Sequence, residues 1–277
     1  ELHWFNLNND SVYCLMTTHY SNSYFGLLQC IQLDSIKFAI DNCNPEYNIS
    51  YLYSVLYGVM SQVVFSKDGH MAQPLSLEKN RQRLFKCRML DIFSLFMEGI
   101  HEYTNDIPKF ENIALNHELS DFFENENLLS NVGCIYVDPP YTDMQYSRYY
   151  HLLTTITKYQ FCEPTFKYGK YTSGLYLNNR IQSSLSSRKN CLYELKKLME
   201  ICTKRKIHFC ISFNYPDESS SEKNDRYTMN INDLITTCKE IFSEQKVAIN
   251  KIPYEHANHR NSSKKCVYEY LICCKGE

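Results

Sequence analysis

The chain has 277 residues, 44% of them hydrophobic, with 29 lysines and arginines against 31 aspartates and glutamates and a net charge of −2. That apolar content excludes wholesale disorder, and the length suits one large domain or a core carrying a helical subdomain. The charge balance excludes a bulk polycation, so any nucleic-acid surface has to be gathered locally.

Thirteen cysteines first suggest a disulfide scaffold. The count is odd, no C-x-x-C occurs, and Cys134, Cys210, Cys273 and Cys274 stand in apolar runs. The expectation is reduced, mostly buried thiols in a cytoplasmic protein. No apolar run reaches the roughly 18 residues of a membrane span, so no membrane is expected as a partner. The start, ELHWFNLNND, shows neither a leader of basic-then-apolar form nor an initiator methionine.

Residues 1–108 read as a mainly helical subdomain, a candidate region for DNA recognition or partner contact. LLQCIQLDSIKFAIDN (27–42) forms a helix with Leu28, Ile31, Ile36, Ala39 and Ile40 near one face. EYNISYLYSVLYGVMSQVVF (46–65) is a longer apolar helix. LEKNRQRLFKCRMLDIFSLFMEGIHEY (77–103) is polar at its start and amphipathic afterwards. Between these two, Asp68-Gly69 and Pro74 mark a loop.

After Pro108 the texture changes, and residues 109–277 read as a catalytic core. NIALNHE (112–118) is a candidate strand and GCIYVD (133–138) a strong one. A helix follows over 144–159, then a long polar loop, then a helix at about 189–204. KIHFCISF (206–213) has the composition of a buried strand, and INDLITTCKEIF (231–242) that of a helix. QKVAINKIPY and CVYEYLICC close the chain as two strands joined by HANHRNSSKK. Strands alternating with helices argue for an α/β layered sheet, with the last two strands as an antiparallel pair at its edge.

One stretch carries chemistry. In VDPPYTDMQYSRYYH (137–151), Asp138 stands at the carboxyl end of a strand, where α/β sheets bind ligands. Pro139 and Pro140 hold φ at roughly −65° and lack N–H donors, and each restricts the residue before it to extended backbone. The result is a rigid, acceptor-only corner with an aromatic ring at Tyr141. Such a corner suits an exocyclic amino group that donates to Asp138 and to the Pro139 carbonyl while Tyr141 stacks on a flat base, a contact worth about 1–3 kcal/mol. Asp-Pro also starts ordinary surface turns, but the apolar strand before this one and the aromatic-rich helix after it favour the site.

IYVDPPYTDMQYSRYYHLL resembles the catalytic motif of the Dam-like N6-adenine DNA methyltransferase family, in which D-P-P-Y follows the fourth strand of a Rossmann-like sheet. SYFGLLQCIQLDSIKFAID, RIQSSLSSRKNCLYELKKLM, CISFNYPD and HANHRNSSKKCVYEYLI are similar to further segments of that family and extend the resemblance over most of residues 20–275. It implies a Rossmann-like methyltransferase sheet with a helical subdomain, S-adenosyl-L-methionine as methyl donor, and an adenine amino group in double-stranded DNA as acceptor. Base flipping follows, at a cost of a few kcal/mol. Asp138, Pro139, Pro140 and Tyr141 carry the catalytic expectation, Asp138 also lying against the cofactor. Asp at the first position favours adenine over cytosine, and it disfavours protein glutamine and RNA adenine methylation, where Asn is usual.

Basic groups supply the expected DNA contacts: Lys167, Lys170, Arg180, Arg188 and Lys189 among tyrosines in residues 166–189, and His256, His259, Arg260, Lys264 and Lys265 in the closing hairpin. Glu255, His256 and His259 mimic a metal pair, yet their spacing on a polar loop without a further ligand is no metal signature, and no metal is expected. His151 reads as a packing or orienting residue rather than a proton carrier.

A complete enzyme of this family needs a glycine-rich turn against the cofactor's methionine end. The chain has eight glycines, and no two are separated by a single residue. Asp10 is the candidate for the ribose hydroxyls, and Asn116 to Glu118, ahead of Phe122 and Phe123, for the cofactor's adenine side. The sheet is therefore expected to be incomplete on its N-terminal side. Three arrangements fit: a fragment, one half of a split enzyme completed by a second chain, or a silent DNA-binding relative. Retention of D-P-P-Y argues against the third.

Overall fold

A computed structural model describes residues 13–66, 69–103, 112–178, 180–216, 226–256 and 265–276. In chain order the helices are α1 (Leu15–Tyr20), α2 (Leu27–Asp41), α3 (Ile49–Val63), α4 (Arg81–Arg88), α5 (Ile92–Tyr103), α6 (Leu119–Glu124), α7 (Tyr146–Tyr149), α8 (His151–Lys158), α9 (Cys191–Arg205) and α10 (Ile231–Phe242). The strands are β1 (Cys134–Val137), β2 (Phe166–Lys167), β3 (Lys170–Tyr171), β4 (His208–Pro216), β5 (Val247–His256) and β6 (Lys265–Cys274). The chain forms two compact units, Glu1–Asn112 with Tyr146–Arg180, and Ile113–Gln145 with Ile181–Glu277. The first break in the chain falls after Asn112. Residues 146–180 belong with the helical unit.

The helical unit is organised around α2. Its core gathers Met16 and Tyr20 of α1, Leu33 and Ile40 of α2, Leu56 and Met60 of α3, Ile92 of α5, and Leu152 and Ile156 of α8. The last two, with Tyr24 Oη donating to the Gly174 carbonyl at 2.8 Å and Met71 N to the Tyr149 carbonyl at 2.9 Å, tie residues 146–180 to this unit.

The buried face of α2 differs from the expected one. Leu28 is 66% exposed, and Ile31 and Ala39 are exposed too, while Gln29, Gln32, Asp34 and Lys37 are buried. These polar groups satisfy the open ends of other helices. Gln29 Nε2 donates to the Cys87 and Leu90 carbonyls at 2.7 and 3.0 Å, behind the end of α4. Gln32 Oε1 accepts from Ile92 N at 3.1 Å, where α5 begins. Asp34 accepts from Met16 N and Thr17 N, each at 2.9 Å, at the start of α1. Helix termini leave donors and acceptors without intrahelical partners, so inward-facing amides and a carboxylate stabilise the unit where leucines would leave those groups bare. The single helix expected over 77–103 is two, because Asp91 Oδ1 caps α5, accepting from Ser94 N at 2.8 Å. The helix expected over 144–159 is likewise split at Tyr150.

The second unit is a mixed α/β fold. Its four-stranded sheet has the order β1-β4-β6-β5, with β1 parallel to β4 and the other pairs antiparallel. Leu195, Met199 and Cys202 of α9 and Leu234 and Cys238 of α10 pack with Phe209, Ile211 and Phe213 of β4 and Ile272 of β6. Among the described residues β1 has a neighbour on one side only. Residues 112–118 form no strand and lie exposed, Ile113 at 75%; alternation alone does not make a strand without a ladder to join. Among the described cysteines none is disulfide-bonded. Cys30, Cys87, Cys191, Cys202, Cys238 and Cys274 are buried, whereas Cys134 is exposed despite its apolar run. No described helix is long and apolar enough to cross a membrane.

Candidate active site

Val137 ends β1 paired with Ile211, and the chain leaves the sheet at Asp138. Asp138 is exposed, Pro139 buried and Pro140 half-buried. With no N–H on either proline, the corner is held through its carbonyls. Thr228 Oγ1 donates to the Pro140 carbonyl at 2.8 Å, and Thr228 N to the Tyr141 carbonyl at 3.0 Å. Among the described residues no hydrogen bond takes the Pro139 carbonyl. It is left as an acceptor one residue from the Asp138 carboxylate.

Tyr141 Oη donates to Asp138 Oδ1 at 2.9 Å and lies 3.2 Å from Glu269 Oε1. Burial first, then the bond to Asp138 and the charge of Glu269, pushes its pKa far above the usual phenol value. The hydroxyl therefore stays protonated and acts as a fixed donor. Its ring stands perpendicular to Phe213, at 85° with centroids 5.6 Å apart. Glu269 also accepts from Ser212 Oγ, and from Asn214 Nδ2 at 3.3 Å. Two carboxylates, one exposed at the strand end and one in a polar knot behind it, are thus linked by a single phenol.

Half of this chain, 139 residues, is 27% identical to Modification methylase StsI of Streptococcus sanguinis. The match takes in 19% of that protein, so the chain spans about a fifth of the length of its curated relative. No family model matches the chain, and no solved structure does.

Glu269 is the residue that sequence reasoning missed. Its signal was present: a lone carboxylate in the apolar and aromatic run CVYEYLICC, directly opposite Asn214 of β4. Asn116 and Glu118 lie exposed, and Glu118 precedes α6 as its N-cap, its N–H bonded to Asp121 Oδ2 at 3.1 Å. Phe123 of α6 joins Lys197, Glu200, Ile201 and Lys204 of α9 around a groove of about 250 Å³. That groove shares no residue with the corner.

Lys167 and Lys170 are exposed on the β2–β3 hairpin, an element that was expected to be irregular loop. Arg180 holds its own segment, donating through Nη1 to Thr165 Oγ1 at 2.6 Å and to the Leu177 carbonyl at 2.7 Å, with its guanidinium 4.5 Å from the Tyr176 ring centre. Arg188 lies 3.8 Å from Asp143. Asp10, His259, Arg260 and Lys264 lie outside the described residues, as do the side chains of Glu255, His256 and Lys265. His151 is 1% exposed in the helical unit, its Nδ1 3.1 Å from the Arg148 carbonyl. Burial pulls its pKa down to about 4, so the ring is neutral near pH 7.

Proposed function

We propose that this chain presents the N6 amino group of a flipped adenine in double-stranded DNA for methylation, as part of a modification methyltransferase. The observation that carries the reading is the corner itself: an exposed Asp138 carboxylate locked by Tyr141, beside a Pro139 carbonyl with no partner among the described residues. The name of the relative, a modification methylase, points the same way.

The acceptor pair matches the two protons of an exocyclic amine. Adenine's amino lone pair is delocalised into its ring, so the amine is a poor nucleophile. Donation of its protons to Asp138 and the Pro139 carbonyl favours rehybridisation and directs the lone pair outward. Positive charge then develops on nitrogen, and the carboxylate stabilises it without having to take the proton fully. Tyr141, kept protonated, fixes which Asp138 oxygen is occupied and leaves the other for the amine. Positioning of this kind accounts for most of what a protein contributes to such a transfer.

S-adenosyl-L-methionine would supply the methyl group. Among the described residues no pair of glycines forms a cradle for its methionine end: Gly133 opens β1, Gly276 follows β6, and Gly58 and Gly99 lie inside helices. The described residues do not fit that part of the cofactor. Among the described residues β1 has one open edge, and its Cys134 and Tyr136 side chains are exposed, Tyr136 at 61%. This supports completion of the sheet by a further segment or a second chain that carries the cradle.

The test is transfer of a radiolabelled methyl group to duplex DNA, with and without candidate completing segments. Asp138→Ala should abolish transfer while DNA affinity stays within about twofold. Wild-type turnover in that variant would end the reading. Calorimetric titration of S-adenosyl-L-methionine into the chain alone decides whether the cradle lies within it.

A further inference from the structure

The β2–β3 hairpin ends in an unusual turn. Phe166 pairs with Tyr171 and Lys167 with Lys170, which leaves Tyr168 and Gly169 as a two-residue connection. Both have positive φ, 54° and 77°, the combination required by a type I′ turn, whose preferred pair is Asn-Gly. Glycine fits the second position. A tyrosine at the first places its β-carbon against its own backbone in the left-handed region, where bulky residues are rare. Packing does not offset the strain, because Tyr168 is 99% exposed.

The surroundings say what the ring is for. Lys167 and Lys170 flank the tip and are exposed. Phe166 and Tyr171 stand perpendicular at 5.2 Å below it, and Tyr171 Oη donates to Glu163 Oε1 at 3.3 Å at the base. The base is firmly held: Thr165 N donates to the Tyr176 carbonyl at 2.9 Å, Thr172 N to the Thr165 carbonyl at 2.9 Å, and the Arg148 and Arg180 guanidiniums both lie against the Tyr176 ring. A rigid stem thus carries an aromatic ring between two ammonium groups. Every base has a π-face and every nucleotide a phosphate, so this pairing of stacking with positive charge is complementary to nucleic acid.

We propose that Tyr168 is a base-stacking residue: the hairpin tip seats its ring against the bases of the bound DNA while Lys167 and Lys170 contact flanking phosphates. The assignment rests on the reading of DNA as substrate, and it accounts for a strained aromatic at a turn that Asn would fill more easily.

The test is fluorescence anisotropy of a labelled duplex across a range of salt, using the full chain without cofactor. Tyr168→Asn suits the turn, so its melting temperature should equal or exceed that of the wild type. Its affinity should fall about 5- to 100-fold with the slope against log salt unchanged, because no phosphate contact is lost. The double variant Lys167→Gln, Lys170→Gln should instead flatten that slope by about 2. Tyr168→Trp should keep the affinity. A Tyr168→Asn chain that binds duplex as tightly as the wild type overturns the assignment and leaves the DNA reading standing. A wild-type chain that binds no duplex overturns both. Tighter, Tyr168-dependent binding to phosphatidylglycerol vesicles than to DNA would also overturn it, in favour of a membrane surface.

Discussion

The Tyr141 hydroxyl lies 2.9 Å from Asp138 Oδ1, a hydrogen bond between the last and first residues of the D-P-P-Y corner. The two prolines between them are rigid, so the phenol locks a carboxylate whose backbone is already fixed. Tyr141→Phe keeps the ring and its contact with Phe213 but removes the donor. Turnover in the methyl-transfer assay should fall about 10- to 100-fold, the usual range for a hydrogen bond to a charged group. DNA affinity should stay near wild type. Equal losses in binding and turnover would instead place Tyr141 among the general binding contacts.

Glu269 gathers Tyr141 from the corner and Ser212 and Asn214 from β4. Glu269→Ala leaves those donors short of an acceptor behind the corner. The unfolding free energy from urea titration should drop by about 1–3 kcal/mol. Glu269→Gln, which retains acceptor capacity at one oxygen, should recover part of it.

His151 gives stability a pH dependence. Its folded pKa is near 4 against an ordinary value of 6.5, lowered first by burial and further by Arg180, while the bond to the Arg148 carbonyl opposes the shift. The unfolded chain therefore takes up a proton that the folded chain refuses. The stabilising difference is fully present above the unfolded pKa and is lost as pH falls from about 6.5 towards 4. Between pH 7 and pH 5 this histidine should account for about 2 kcal/mol of lost stability. His151→Gln should flatten the dependence seen in urea titrations at the two pH values; an unchanged slope would mean the ring is more hydrated than its burial indicates.

Gly174 passes so close to the Ala72 carbonyl and the Tyr176 ring that an added β-carbon would overlap both. Its own carbonyl accepts from Tyr24 Oη at 2.8 Å. Gly174→Ala should lower the melting midpoint, by an amount equivalent to about 1–3 kcal/mol for overpacking in a well-filled region. A neutral result would mean that residues 172–176 yield without disturbing the helical unit.

Much of the fold was legible where structure follows from neighbours in sequence. The helix over 231–242 appears with the bounds its periodicity set, and the strands around Cys134–Val137, His208–Pro216 and the closing pair stand where apolar runs placed them. The misses have one kind of cause. NIALNHE alternates like a strand but joins no ladder among the described residues. The leucines at the start of α2 look like a core face, yet its glutamines and Asp34 turn inward because three other helices offer unsatisfied ends. That Arg180 bonds Thr165 and the Leu177 carbonyl and lies against Tyr176 was likewise not legible, because those contacts form only when the segment folds back on itself.

By itself the sequence determined the Asp138-Pro139-Pro140-Tyr141 corner, because proline rings restrict their own and the preceding residue whatever lies around them. The Tyr168-Gly169 turn is different in kind: its conformation depends on a ladder that pairs Lys167 with Lys170, and only the folded chain displays it. Tertiary structure also brought Glu269 to Tyr141 across 128 residues of chain and assigned residues 146–180 to the helical unit. Those outcomes hang on which polar groups find partners when distant segments meet. Local propensity carries no information about that, since the cost of burying a carboxylate or amide is set by what surrounds it after folding.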